Sequence, residues 1–112
     1  MIIAWTTVEK EEDARRLARG AVERRLAVCA QVDGPVESHY PWQGRIESAR
    51  EYRLWFKCLP ANASALGLWV QANHPYEVPQ WIEVSAETVG EKYLSWAIAN
   101  STPPPFPSPN PS

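Results

Sequence analysis

Four side chains set the range of chemistry open to this chain: His39 and His74, its only imidazoles, and Cys29 and Cys58, its only thiols. Imidazole is the commonest protein ligand for zinc, copper and nickel, and thiolate favours soft ions such as Cu(I). Neither histidine has a metal-ligand partner four residues on, and the cysteines stand far apart, so a metal site would have to be assembled in space. Cys29 alternates with Val28 and Ala30 and reads as a small buried hydrophobe. His39 shares a strand face with Glu37 and suits the surface. His74 differs because its backbone is constrained. It opens the segment His74-Pro75-Tyr76-Glu77-Val78-Pro79, where each proline fixes its own φ and holds the residue before it extended. Such a segment must stop a helix, cross over and release the chain into Trp81-Ile82-Glu83-Val84. A rigid crossover carrying an imidazole makes His74 the candidate metal ligand, although a plain helix stop asks for the same prolines.

Other chemistries find less support. The chain has no G-x-G-x-x-G or G-x-x-x-x-G-K loop to cradle a nucleotide phosphate. A serine–histidine–carboxylate assembly would have to draw its base from His39 or His74, and the chain reads as a non-enzyme. Tyr40, Trp42, Tyr52 and Trp55 read first as hairpin packing or interface and second as the wall of a ligand site. Lys57 is a strand-end charge that could meet an anion beside the crossover. A net charge of −2 and a pI near 5.7 give no electrostatic case for nucleic acid or an anionic membrane. Met1-Ile2-Ile3-Ala4-Trp5 reads as a core strand rather than a secretion signal, and no apolar stretch approaches a membrane span. Two cysteines without motif spacing are expected to be reduced thiols in a cytoplasmic protein.

The elements that must position these residues follow from periodicity. Ile2-Ile3-Ala4-Trp5 is a short buried strand, and Thr6 with Glu9 fits a capping box that would open a helix. Ala14, Leu17, Ala18, Ala21, Val22 and Leu26 repeat at helical spacing, with arginines and glutamates on the other side. Ala27 to Val32 is a second buried strand, stopped by Asp33-Gly34-Pro35. From Val36 to Trp42 the pattern alternates, Gln43-Gly44 marks a turn, and a return strand runs to about Leu59 with Tyr52, Leu54, Phe56 and Cys58 on one face. At about 3.3 Å per residue that hairpin is longer than a small sheet needs. Its excess should project as an aromatic ribbon with an unpaired edge, which invites another subunit. A second helix covers Pro60 to Asn73 despite Gly67, with Leu66, Trp69 and Val70 facing the core. A strand from Trp81 to Ser85 follows the crossover, then a short helix opened by Gly90 and Glu91 with Tyr93, Leu94, Ala97 and Ile98 as its apolar stripe.

The order strand, helix, strand, strand, helix, strand, helix is that of an α+β split βαβ sandwich: an antiparallel sheet with two helices on one face, a long β-hairpin and an extra C-terminal helix. Residues 1–101 form the domain. Residues 102–112 hold six of the eleven prolines and read as a disordered or extended Pro-rich tail, in which Pro104-Pro105-Phe106-Pro107 formally fits P-x-x-P. A body of about a hundred residues buries only roughly 60–70% of its unfolded surface. Six tryptophans are hard to hide in it, so some should lie in a subunit interface.

Four blocks of the chain resemble the CutA family of divalent-cation tolerance proteins: Arg25-Leu26-Ala27-Val28-Cys29-Ala30, Tyr40-Pro41-Trp42-Gln43-Gly44-Arg45-Ile46, His74-Pro75-Tyr76-Glu77-Val78-Pro79 and Tyr93-Leu94-Ser95-Trp96. The match covers roughly residues 2–100, and the crossover is its most specific part. The resemblance implies a ferredoxin-like subunit in a tight homotrimer joined through the long hairpins, acting in tolerance of copper and other divalent cations. In copper-binding relatives a cysteine ending the first strand, the crossover histidine and a glutamate after the second crossover proline are implicated. Here His74 matches, but the first strand ends in Trp5-Thr6-Thr7 and Gln80 follows Pro79, so copper or another divalent cation should be held only weakly and no cofactor is required. The architecture is also similar to that of the trimeric PII signalling proteins. The alternative is therefore a sensor with an anionic small molecule in an intersubunit cleft lined by Trp42, Lys57 and Tyr76.

Overall fold

The computed structural model describes residues 1–101; the proline-rich tail and its P-x-x-P segment lie outside the described residues. Seven elements follow in order: β1 (Ile2–Val8), α1 (Glu11–Glu23), β2 (Cys29–Trp42), β3 (Arg45–Cys58), α2 (Pro60–Asn73), β4 (Ile82–Ser85) and α3 (Glu91–Ala99). The four strands form one sheet in the order β2-β3-β1-β4, with every pairing antiparallel. This is the expected α+β split βαβ arrangement.

Alternation along β1 and β3 decides where the core sits. Ala4, Thr6 and Val8 oppose Phe56, Leu54 and Tyr52, and of these six only Tyr52 retains appreciable exposure. Leu17, Ala18 and Ala21 from α1 and Leu66 and Val70 from α2 close over that face. Cys58 ends the same row; burial pushes its thiol up to about 11, so it stays protonated and packs as a hydrophobe. Cys29 is also a free thiol.

Four local readings are corrected by the structure. Thr6 does not cap a helix: β1 continues to Val8 because seven rungs with β3 hold it extended, and α1 starts after Lys10 without a side-chain cap. Asp33-Gly34-Pro35 does not end a strand: β2 runs from Cys29 to Trp42 as one strand, with an irregularity between Asp33 and Val36 and a cis Gly34–Pro35 bond. Gly34, at φ +137°, absorbs the bend. Finally, the stripe expected on α3 is buried only at Ala97, while Tyr93 and Ile98 stay exposed, as does Trp96. Val22, placed on the buried side of α1 by periodicity, is likewise exposed, because the helix ends at Glu23 and the chain turns through Arg25 (φ +58°).

The hairpin projects as expected. β1 covers β3 only from Tyr52 to Cys58, whereas β2 and β3 stay paired out to Trp42 and Arg45. Seven residues at about 3.3 Å each leave roughly 23 Å of two-stranded ribbon beyond the sheet. The molecule measures 54 × 27 × 25 Å.

Gly67 has a packing reason to interrupt α2. A Cβ there would lie 2.8 Å from Nε1 of Trp81, whose indole donates to Glu83 at 2.8 Å and packs on Phe56. Alanine would gain about 1 kcal/mol of helix propensity, but forcing the indole aside costs about 1–3 kcal/mol. Gly67→Ala therefore nets up to about 2 kcal/mol of destabilisation and is expected to lower the thermal midpoint, by roughly 4–8 °C for each net kcal/mol. An unchanged or raised midpoint in a calorimetric scan would show that the indole yields freely.

Candidate functional site

The crossover is built around the end of β1. In an antiparallel sheet successive side chains point to opposite faces, so Thr6 lies on the helix side and Thr7 on the other. His74, the residue after α2, reaches the Thr6 hydroxyl and the Thr7 carbonyl, each at 3.0 Å from Nε2. Six residues on, the Thr7 hydroxyl donates to Gln80 at 3.4 Å. The segment thus passes from the helix layer around the end of β1 before pairing beside it as β4. Arg16 of α1 steadies the approach by donating to the Asn73 carbonyl at 3.1 Å.

The partners of His74 fix its tautomer. A carbonyl can only accept, so Nε2 carries the proton and donates to Thr7. A backbone N–H can only donate, so Nδ1 is the bare nitrogen and accepts from Tyr76 at 3.1 Å. The ring is half-buried, and desolvation lowers its pKa below the usual histidine value, with the Thr7 hydrogen bond and the nearby Glu51 and Asp13 charges opposing. The Tyr76 ring meets the imidazole edge-on, with centroids 4.8 Å apart.

Tyr76 extends the network to the hairpin root. Its hydroxyl donates to Glu51 at 2.6 Å, and Glu51 is 6% exposed. Burial first, and then the Glu51 carboxylate, push the phenol well above its ordinary value, so it is a permanent donor. Beyond this pair lies an open cleft of about 770 Å³ between the hairpin and the crossover, with walls that include Tyr40, Trp42, Glu51, Tyr76 and Glu77.

The proposed site residues therefore divide. Trp42 and Tyr76 line the same cleft. Lys57 does not: it stands six residues beyond Glu51 on β3, about 20 Å along the strand, donating to Gln31 at 3.0 Å and lying over Tyr93. His39 is exposed on the hairpin, bonded to Ser48 and beside Glu37. His74 holds the crossover to β1 with both ring nitrogens. Glu51 was missed by sequence reading. Its only signal was a carboxylate on the same strand face as Arg53 and Trp55, and nothing local foretold that Tyr76 would cover it.

The comparisons agree with this architecture. Residues 2–100 match the family model described as CutA1 divalent ion tolerance protein. A CutA homolog from Xenopus laevis is 38% identical over 93 residues, covering 83% of this chain and 62% of the relative. The divalent-cation tolerance protein CutA of Thermus thermophilus is 35% identical over 99 residues, 88% of this chain and 96% of that protein. The crystal structure of CutA1 from Pyrococcus horikoshii superposes with a TM-score of 0.88 at 29% identity, covering 92% of this chain and all of that one. The fold is thus that of the ferredoxin-like tolerance proteins. The chain belongs to the CutA family. It spans about half to three-fifths of the length of several eukaryotic relatives that it matches. The family's name is that of a tolerance protein, not of an enzyme.

The family name raises the question of a divalent ion, and the residues at the crossover do not fit one. The single lone pair of the His74 ring is taken by the Tyr76 N–H, and its other partners are the Thr6 hydroxyl and the Thr7 carbonyl. Among the described residues no three of His, Cys, Asp and Glu converge as a metal cluster.

Two measurements test the network. The folded state disfavours protonated His74, so the unfolded state takes up more protons below its own pKa near 6.5. Stability should be constant above that pH and fall as pH drops below 6.5 towards the lowered folded value, and His74→Gln should remove that part of the slope in urea melts. Tyr76→Phe removes a hydrogen bond to a buried carboxylate and should cost about 1.5–3 kcal/mol. A double-mutant cycle with Glu51→Leu should recover most of that cost as coupling; independent effects would mean the 2.6 Å contact contributes little.

Proposed function

We propose that the chain is a non-enzymatic, homotrimeric, cytoplasmic protein of the divalent-cation response, acting through its assembly rather than through an ion held at His74. The observation that carries this reading is the sheet face opposite α1 and α2. By register it presents Ile3 and Trp5 from β1, Trp55 from β3, and Ile82 and Val84 from β4. The Trp5 and Trp55 rings pack at 5.1 Å, and none of the five residues is buried in the single chain. Apolar surface of that extent marks a protein interface.

Two unpaired edges support the same reading. β4 is exposed along its whole length, and the hairpin carries Tyr40, Trp42 and Ile46 outward. An edge that pairs with a different edge of the next copy gives a head-to-tail contact, which closes as a ring; three is the number the family resemblance implies. Copper or another divalent cation binds weakly and is not required for folding. Two free thiols accord with a reducing compartment, and no helix among the described residues is long and apolar enough to cross a membrane.

The cleft favours a second reading, a small-molecule sensor of the PII kind, in which an anionic ligand would need its positive charge from a neighbouring subunit. Within one chain its walls carry Glu9, Glu51, Glu77 and His39, with no lysine or arginine, and Lys57 lies farther along β3.

Sedimentation equilibrium at micromolar concentration should give three times the mass of the chain, and Trp5→Glu with Trp55→Glu should yield a monomer; a monomeric wild type would contradict the reading. Titration with Cu(II) and Zn(II) should show weak binding that His74→Ala leaves unchanged. A tight site lost in that variant would restore His74 as a ligand.

A further inference from the structure

We propose that the cleft between the hairpin and the crossover binds a small organic cation, a primary or quaternary amine. The proposal rests on the small-molecule reading of the cleft and names its ligand class. Its volume of about 770 Å³ suits a small molecule. Glu9, Glu51 and Glu77 line it without a lysine or arginine, and its one imidazole, His39, is bonded to Ser48 and stands beside Glu37 on the exposed hairpin.

Glu51 is the informative member. It is 6% exposed, and a carboxylate that deep is rarely left without a cation beside it. Here the Tyr76 hydroxyl donates to Oε2, and among the described residues no arginine or lysine forms an ion pair with it. A neutral donor satisfies one oxygen and leaves the charge uncompensated at the cleft wall. A cationic ligand would supply the missing counter-charge.

The remaining walls select among cations. Tyr40, Trp42 and Tyr76 line the cleft, and aromatic faces attract ammonium groups through the negative face of the ring, more strongly when water is excluded. Tyr76 remains a neutral phenol, its proton held by burial and by Glu51. A bare divalent ion gains little from aromatic walls, and no three metal-ligand side chains converge among the described residues. An anion would meet three carboxylates.

Calorimetric titration of the full chain in cacodylate buffer, with tetramethylammonium, butylamine, citrate and Zn(II) as separate probes, tests this. Tetramethylammonium and butylamine should bind and citrate should not. Glu51→Gln keeps an acceptor for Tyr76 and should weaken both amines about tenfold, equivalent to ~1.4 kcal/mol. Trp42→Leu, on the exposed hairpin, is a second variant away from Glu51; with its mass in solution checked to match wild type by sedimentation, it should weaken tetramethylammonium more than butylamine. Citrate binding, or Zn(II) binding lost in Glu51→Gln, would overturn the ligand class while leaving a ligand cleft. No binding of any probe would overturn the small-molecule reading itself, and amine binding undiminished in both variants would place the site elsewhere.

Discussion

An imidazole ring has two nitrogens, and at His74 the chain uses both. Nε2–H is anchored to the end of β1 through the Thr7 carbonyl, and Nδ1 receives the N–H of Tyr76 across the first proline of the crossover. Pro75 and Pro79 remove the local freedom that would otherwise let this segment drift, and the ring then fixes it to the sheet. From that point Tyr76 is delivered to Glu51, Gln80 to Thr7, and the chain to the outer edge of β1 as β4. The position of the fourth strand, the cover over the buried carboxylate and the wall of the cleft all follow from one neutral histidine. Protonation would turn Nδ1 into a donor facing another donor, so the arrangement is stable only while the ring is uncharged.

Much of this was legible in the sequence. The period of 3.6 residues in α1, the alternation in β3 and the span of α2 follow from local pattern, and the structure reproduces them because each element buries one face in the core. The failures share a cause. Thr6 has the spacing of a helix cap, yet seven rungs of pairing with β3 outweigh one cap. Asp33-Gly34-Pro35 has the composition of a turn, yet the partner strand runs past it and the chain bends instead of reversing. Non-local pairing decided both, and a window of a few residues does not contain it.

The site divides along the same line. His74 and Tyr76 were visible because prolines mark their backbone, and Trp42 because it is a large aromatic on a projecting ribbon. Glu51 has no such mark; its importance arises from being covered by a residue twenty-five positions away. Lys57 was placed with the crossover on charge alone, and strand geometry puts it at the other end of β3. Within one chain, what stands beside Trp42 and Tyr76 is three carboxylates and the His39 imidazole, which directs attention to cations, and from His74 to Glu51. The unburied tryptophans on the far sheet face and the exposed β4 are the surfaces that the proposed assembly would cover.

The central claim is that His74 is a neutral structural anchor with its proton on Nε2. Long-range nitrogen–proton correlation of the ¹⁵N-labelled ring at neutral pH reads this directly. The account predicts a pyrrole-type Nε2 and a pyridine-type Nδ1, neither shifted by saturating Zn(II). A protonated Nδ1, or a ring resonance displaced on adding the metal, would contradict it.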